Sequence, residues 1–268
     1  MVTKNDVREA FASLGIAPGN IVLVHSSLKS LGELENGPDT VIDGIESLIG
    51  RDGTLVMPTL SQVDFFNSYK TWYMDKPSNV GYLTEYFRKL PMVYRSNQET
   101  HSVAARGKYA YHLTFEHKAR GPHLCPFGEF AFADSSPWVK MYGMGTKTCF
   151  IGVSVLYNTM KHVVEGWYAE HVLSLVRDPA KRLALQNEVA TFGHFTGKEI
   201  WPMYDGRRME EEYEKAGLIR HAQCGNADIR CIDMKETCDY SYKLLSEHPE
   251  DWCNEATMAW LERCRAAM

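Results

Sequence analysis

The fold class of this 268-residue chain is decided by one stretch, GNIVLVHSSLKSLG at residues 19–32. Its apolar run IVLV, residues 21–24, is short, contains β-branched residues and follows a turn-forming Gly-Asn pair, which predicts a buried strand. Directly after this run come His25, Ser26 and Ser27. Ligands commonly bind beyond the carboxyl ends of strands in α/β sheets, so we expect this strand end to border a binding site.

The segments around this strand follow an α/β pattern. Residues 38–49 carry apolar side chains at helical spacing, and an Asp-Gly turn at 52–53 leads into a second apolar strand at 54–57. Strand, helix and strand in this order are typical of an α/β domain. Similar patterns predict helices at 3–14, 79–89, 160–175 and 251–266, a strand at 148–153 and a surface loop at 61–76.

The domain organisation is predicted to be simple. The sequence contains no internal repeat, low-complexity segment or convincing linker, so we expect a single domain over residues 1–268. Residues 183–240 follow no clear pattern and are interpreted as a lid or an insertion within that domain.

Charge and composition exclude several classes of partner. A formal net charge of −5 and a pI near 6.1 argue against general binding to nucleic acid, which needs a basic face. The apolar runs are far shorter than the about 20 residues that span a membrane, and the first residues lack the apolar region of a secretion signal. The seven cysteines have no C-x-x-C spacing, which favours reduced thiols in a cytoplasmic protein.

The sharpest local group of chemical residues is NTMKHVVEG, residues 158–166. Asn158 or Thr159 can cap a helix, which places His162 in its first turn with Glu165 on the same face. A carboxylate that orients a histidine is the arrangement of a general base and its partner. An ordinary surface pair has the same spacing, so the residues alone leave both interpretations open.

Two other chemistries fit the sequence less well. His162, Glu165 and His171 suggest a hydrolytic zinc site, but His171 is nine residues further along the helix and faces the opposite side. We therefore expect no metal. Cys125 follows His123 by two residues, a spacing that is not itself catalytic, and a structural thiol is the favoured interpretation.

Two segments place small hydroxyl residues beside a histidine at the edge of a predicted strand. They are VHSSLKSLG at 24–32 and THSVAARG at 100–107. Free backbone N–H groups and serine hydroxyls suit a phosphate or an amide-bearing chain. Simple turn chemistry is the alternative explanation for both.

These segments together resemble the aminoglycoside 3-N-acetyltransferase family. The resemblance runs in order across roughly residues 5–170. It rests on GNIVLVHSSLKSLG, DGTLVMPTL, PSNVGYLTEYFRKLPMVYRS, THSVAARG, CPFG with SSPWVKMYG, and FIGV with NTMKHVVE. Each motif is weak alone, and their shared order makes the signal strong.

The resemblance implies a fold, a co-substrate and site residues. The fold is a three-layer α/β/α arrangement with a mixed central sheet, and the co-substrate is acetyl-CoA. His162 matches the family's catalytic histidine and Glu165 its acidic partner. The residues implied to line the coenzyme A cleft are Ser26, Ser27, Leu28, Thr100, His101, Ser102 and Val103. One departure is Gln98-Glu99, where the family usually has His-Pro.

The implied reaction is direct acetyl transfer, in a ternary complex, to an amino group of an aminoglycoside, with His162 as general base. An acceptor that is a nucleotide-linked amino sugar is the main alternative. A non-catalytic coenzyme A-binding protein and a metal-dependent hydrolase are distant ones. The partner is thus a small amino sugar rather than nucleic acid or a membrane, and assembly into a homo-oligomer stays open. Candidate residues for the acceptor are the aromatic stretch 65–73 and the carboxylates Asp64, Asp75, Glu99, Asp134 and Glu165.

Overall fold

A seven-stranded sheet forms the centre of the protein in the computed structural model, which describes residues 1–61, 71–190 and 200–268. The strands are β1 (Ile21–Ser26), β2 (Thr54–Pro58), β3 (Tyr94–Arg95), β4 (Val103–Gly107), β5 (Lys147–Ile151), β6 (Arg220–Cys224) and β7 (Ala227–Asp233). Their order across the sheet is β3-β4-β2-β1-β5-β7-β6.

The sheet is mixed. The central strand β1 runs parallel to both of its neighbours, β2 and β5. The outer pairs, β2 with β4, β3 with β4, β5 with β7 and β6 with β7, are antiparallel. The carboxyl ends of β1, β2 and β5 therefore meet at one edge, where a site can be built.

Helices surround the sheet in the described parts of the chain. They are α1 (Lys4–Ser13), α2 (Pro38–Ile49), α3 (Tyr82–Phe87), α4 (Ala110–Thr114), α5 (Pro137–Gly143), α6 (Met160–Ser174), α7 (Pro179–Ala190), α8 (Gly206–Lys215), α9 (Met234–Glu247), α10 (Pro249–Trp252) and α11 (Glu255–Arg265). Short 3-10 helices follow β1 and β5, at Leu28–Leu31 and Val155–Tyr157.

Two hydrophobic clusters cover the two faces of the sheet. Along β1, Val22 and Val24 belong to the cluster under α1, α2 and α3. Leu23, which points to the other face, belongs to the cluster that includes α6, α7 and α9. This alternation is the two-residue period of a strand buried on both sides. The expected three-layer α/β/α fold around a mixed sheet is confirmed.

The predicted elements agree with the observed ones where the pattern was local. Thr3 caps α1, and the side chains of Thr3 and Asp6 form the reciprocal bonds of a capping box. The helix predicted at 79–89 is shorter, since α3 begins only after Gly81, whose φ of 135° is not helical. The Asn79 N–H upstream instead donates to the Leu60 carbonyl.

The structure places part of the segment without a clear sequence pattern in the central sheet. Residues 220–233, from the stretch interpreted as a lid or insertion, form β6 and β7. The single-domain assignment with its lid or insertion stays a prediction. Most of the expected loop at 61–76, residues 62–70, lies outside the described residues. Among the described helices, none combines the length and apolar character needed to span a bilayer.

Candidate active site

His162 lies in the first turn of α6, as its spacing predicted. Of the two expected caps, Asn158 acts through its side chain, since its Oδ1 accepts the Met160 N–H at 3.2 Å. Thr159 caps only through its backbone, where its carbonyl accepts the His162 N–H at 3.1 Å. The helix start is thereby held beside the carboxyl ends of the parallel strands.

Glu165 fixes the orientation of the His162 ring. His162 Nδ1 and Glu165 Oε2 are 2.8 Å apart, and the Glu165 side chain is fully buried while that of His162 is 24% exposed. The other oxygen, Oε1, accepts the backbone N–H of Met203 at 2.8 Å. Because Nδ1 donates to the carboxylate, Nε2 is the nitrogen that is left to accept a proton.

Aromatic rings enclose the His162 imidazole. Its centroid lies 4.9 Å from that of Phe127 and 6.2 Å from that of His101. Phe132 and Trp201 follow, each at 6.3 Å. Such close packing restricts the rotation of the imidazole and so preorganises its orientation.

A pocket of about 390 Å³ opens beside His162. It lies where β1 and β2 end and α6 begins. The side chains that line it are His25, Ser26, Pro58, Leu60, Val80, His101, Val153, Leu156, Tyr157, Asn158, Thr159, Lys161 and His162. Lys161 supplies a cation, and its Nζ lies 5.3 Å from the centre of the Tyr204 ring.

The first hydroxyl segment contributes only part of its residues to this pocket. Ser26 lines it, at the last position of β1. The Ser27 N–H instead donates to the Ile151 carbonyl at 2.9 Å. Leu28 packs against the hydrophobic cluster on the opposite face of the sheet.

The second hydroxyl segment contributes His101. The Thr100 hydroxyl lies 3.2 Å from the carbonyl oxygen of Phe127, and the Ser102 hydroxyl donates to the Thr59 carbonyl at 3.0 Å. Val103 is fully buried as the first residue of β4. These three residues hold the loop, while the His101 ring faces the pocket.

Two buried histidines in the pocket wall are neutral. Burial lowers the pKa of His25 to about 4. Burial also holds the pKa of His101 well below its usual value, and the nearby His162 and His117 add to this effect. Neither ring therefore carries a charge near pH 7.

A family model described as "Aminoglycoside 3-N-acetyltransferase" matches residues 23–246. This chain belongs to that family. The predicted family and the predicted enzyme class, an N-acetyltransferase, are confirmed.

Relatives with whole-length similarity carry the same description. The SPbeta prophage-derived aminoglycoside N(3')-acetyltransferase-like protein YokD of Bacillus subtilis (strain 168) is 24% identical over 270 residues, covering 90% of this chain and 91% of its own. An aminoglycoside N(3)-acetyltransferase III of Salmonella sp is 27% identical over 282 residues, covering 92% and 93%.

Solved structures share the fold. The apoenzyme of aminoglycoside acetyltransferase AAC(3)-IVa superimposes with a TM-score of 0.70 at 20% identity, covering 100% of this chain and 98% of the other. AAC-IIIb, solved as a binary complex with CoASH, gives a TM-score of 0.68 at 18% identity, covering 91% and 96%.

The departure of this family member at Gln98-Glu99 lies directly behind the His101 loop. The buried Gln98 Oε1 accepts the N–H of Thr100 at 2.8 Å and also that of His101. Glu99 pairs with Lys118 at 2.6 Å. The amide of Gln98 thus fixes the backbone that presents His101 to the pocket.

The rival side chains have other roles in this acetyltransferase. Cys125 is buried, and burial raises the pKa of its thiol far above the usual value, so a nucleophilic thiolate is disfavoured. His171 is exposed on α6 and its ring lies 6.5 Å from that of Tyr242. These positions agree with the interpretation of both as non-catalytic.

The carboxylates considered for the acceptor are dispersed. Glu99 is paired with Lys118, and Asp134 with His123 at 2.7 Å. Glu165 is buried behind His162, and Asp75 is exposed. Asp64, with residues 65–70 of the aromatic stretch, lies outside the described residues.

Sequence reasoning missed several neighbours of His162. Phe127 lies in the CPFG motif, and the match of this motif to the family pattern could have pointed to it. Trp201 and Met203 come from a stretch without any pattern. Met203 acts through its backbone N–H, so no side-chain motif records its role.

Proposed function

We propose that this protein moves an acetyl group from acetyl-CoA to an amino group of an aminoglycoside, by direct transfer in a ternary complex with His162 as the general base. The observation that carries the proposal is the hydrogen bond of 2.8 Å between His162 and the buried Glu165, beside a pocket at the ends of the parallel strands. Family membership supports the reaction class.

The proton path follows from the geometry of this pair. His162 Nε2 takes the proton from the attacking amine as the new C–N bond forms. Glu165 stabilises the resulting imidazolium through Nδ1. The C–S bond then breaks, and His162 returns the proton to the departing thiolate, so that an amide and a free thiol are the products. The second oxygen of Glu165 stays bound to the Met203 N–H, which holds the carboxylate in place behind the ring.

The pocket residues offer groups that suit coenzyme A. Ser26 and His101 offer polar atoms at the strand ends, and the Lys161 ammonium suits a phosphate or another anionic group. Ser27, Leu28, Thr100, Ser102 and Val103 support the two loops rather than line the pocket. In the proposed complex they act by shaping the cleft.

Direct transfer is favoured over a covalent acyl-enzyme. The only cysteine near the base that sequence reasoning singled out, Cys125, is buried and protonated. When the thioester and the amine are held together, positioning alone lowers much of the activation barrier, and no covalent intermediate is needed.

One observation favours a second acceptor class, a nucleotide-linked amino sugar. The described residues that line the pocket include one cation, Lys161, and no carboxylate. A polycationic aminoglycoside would gain from carboxylates, whereas an anionic diphosphate would gain from Lys161. The aminoglycoside remains the first candidate because the relatives bear that name.

A thiol-release assay tests the proposal. Purified protein is incubated with acetyl-CoA and a panel of aminoglycosides and nucleotide-linked amino sugars, and free thiol is measured with an aromatic disulfide reagent. We expect amine-dependent thiol release with at least one aminoglycoside. Release only with nucleotide-linked sugars would select the second class. Coenzyme A binding without turnover on any amine would indicate a non-catalytic binding protein, and a stoichiometric metal in the purified protein would support a hydrolase.

A further inference from the structure

His25 places an unpartnered nitrogen in the wall of the pocket. The residue is the fifth of β1 and points to the sheet face that carries α6, because Leu23, two positions before it, packs into the cluster on that face. Only 7% of His25 is exposed, and its Nε2 is buried with no hydrogen-bond partner among the described residues. The same pocket is lined by His162.

Packing alone does not explain an imidazole at this position. The His25 ring stacks on Phe150 of the neighbouring strand, with centroids 5.1 Å apart and planes within 10°. A phenylalanine would stack equally well and leave no polar atom unsatisfied. A buried nitrogen without a partner costs stability, so its presence in a site wall points to a ligand atom that completes it.

The charge state of His25 defines what it can bind. Burial keeps the ring neutral, so one nitrogen carries hydrogen and the other does not. A neutral imidazole can donate to a developing oxyanion without repelling the imidazolium that forms at His162. A positive charge on His25 would raise the free energy of that imidazolium.

We infer that His25 is a further catalytic residue: its Nε2–H donates a hydrogen bond to the carbonyl oxygen of the bound acyl thioester and stabilises the oxyanion of the transition state. This inference rests on the proposed acetyl transfer. As the amine nitrogen attacks, the carbonyl π electrons move onto the oxygen held by His25. They return when the C–S bond breaks, and His25 gains and loses no proton.

Two other polar groups near His162 are already engaged. The Ser102 hydroxyl donates to the Thr59 carbonyl, and the Nδ1 of His101 lies 2.9 Å from the Thr100 hydroxyl. Ser26 lines the pocket at the next position of β1, where alternation turns its side chain away from that of His25. Among the described residues that line the pocket, His25 is the one with a buried side-chain nitrogen that lacks a hydrogen-bond partner.

Three substitutions separate a hydrogen-bond role from a packing role. His25→Gln places an amide NH₂ near the position of Nε2, His25→Asn places it near Nδ1, and His25→Phe keeps only the stacked ring. We expect kcat to fall roughly 10²- to 10³-fold in His25→Phe and His25→Asn, the usual effect of removing one oxyanion donor. The kcat of His25→Gln should be at least tenfold higher than that of His25→Phe, while the Kd for coenzyme A changes little in all three variants. Equal kcat in wild type and a folded His25→Phe would overturn the inference.

A binding measurement tests the same contact without turnover. The probe is an unreactive ketone analogue of acetyl-CoA, with a methylene group inserted between sulfur and a ¹³C-labelled carbonyl, and the readout is the infrared carbonyl band of the bound analogue. A hydrogen bond from His25 should move the band to lower wavenumber in wild type and His25→Gln, but not in His25→Phe. A band in His25→Phe at the same wavenumber as in wild type would contradict the inference, whether or not the amine panel shows turnover. If the band shifts as expected but no amine is acetylated, the proposed function is wrong, while the hydrogen bond from His25 to the carbonyl is still supported.

Discussion

The buried carboxylate of Glu165 accepts the backbone N–H of Met203 at 2.8 Å. Thirty-eight positions separate the two residues, and the bond ties the segment before α8 to the helix that carries His162. One carboxylate thus both orients His162 and anchors the chain that places Trp201 beside it.

His162→Ala should lower kcat for acetyl transfer by roughly 10²- to 10⁴-fold, because the general base is lost. Steady-state thiol release measures this change. His171→Ala is the matched control on the same helix, since that side chain is exposed and faces away from the pocket. Unaltered kcat in His162→Ala would remove its role as base.

Two substitutions at Glu165 should separate catalysis from stability. Glu165→Gln can still accept the Met203 N–H, but its amide would donate to Nδ1 and impose the wrong tautomer on His162, so kcat should fall up to about 10⁴-fold. In Glu165→Ala the free energy of unfolding should in addition fall by about 1–3 kcal/mol, because the buried N–H of Met203 loses its partner. Urea unfolding and thiol release distinguish the two effects. Equal stability of the two variants would show that the Met203 bond contributes nothing.

Gly166→Ala should disturb the site by forcing two segments apart. A Cβ there would lie 2.7 Å from the carbonyl oxygen of Leu124, and the Phe127 ring in the same segment contacts His162. We expect a loss of about 1–3 kcal/mol in unfolding free energy, together with a several-fold fall in kcat.

Gly143→Ala is the control for that substitution. Gly143 is the last residue of α5 and no atom of the described residues lies within 4 Å of its added Cβ, so the change should stabilise the protein by about 0.4–1 kcal/mol. If both variants had the same urea midpoint of unfolding as the wild type, the predicted clash at Gly166 would be wrong.

His123 should make stability depend on pH. Its Nδ1 lies 2.9 Å from Glu170 and its Nε2 2.7 Å from Asp134, and the hydrogen bond to Glu170 is the main cause that raises the pKa of His123 to about 9. A raised folded-state pKa stabilises the fold fully below about pH 6.5, and this contribution is lost as the pH rises through about 9.

The comparison with His123→Gln isolates this contribution. At pH 6 the wild type should be more stable by about 1 kcal/mol at most, since solvent screens the partly exposed pairs, and the difference should shrink by pH 9.5. Urea unfolding at the two pH values measures it. A difference that is constant with pH would contradict the assigned ion pairs.

Sequence periodicity was sufficient for the elements that carry their own signal. The apolar run of β1, the helical spacing of α2 and the capping residues of α1 are encoded within a few neighbouring positions. The pairing of His162 with Glu165 was predictable for the same reason, because residues three apart meet on one helix face.

By itself, then, the sequence determined the α/β class, the family and the pairing of His162 with its carboxylate, because each is encoded by short-range spacing or by motifs in a fixed order. Only the tertiary structure decided which polar residues of the two hydroxyl segments face the pocket, since Ser26 ends β1 at the pocket whereas Leu28 begins a 3-10 helix and packs on the cluster that covers the other face of the sheet. It also decided that a backbone N–H at Met203 supports Glu165 and that His25 keeps an unpaired nitrogen there. Contacts between segments far apart in the chain depend on how the layers pack, and no local pattern records them.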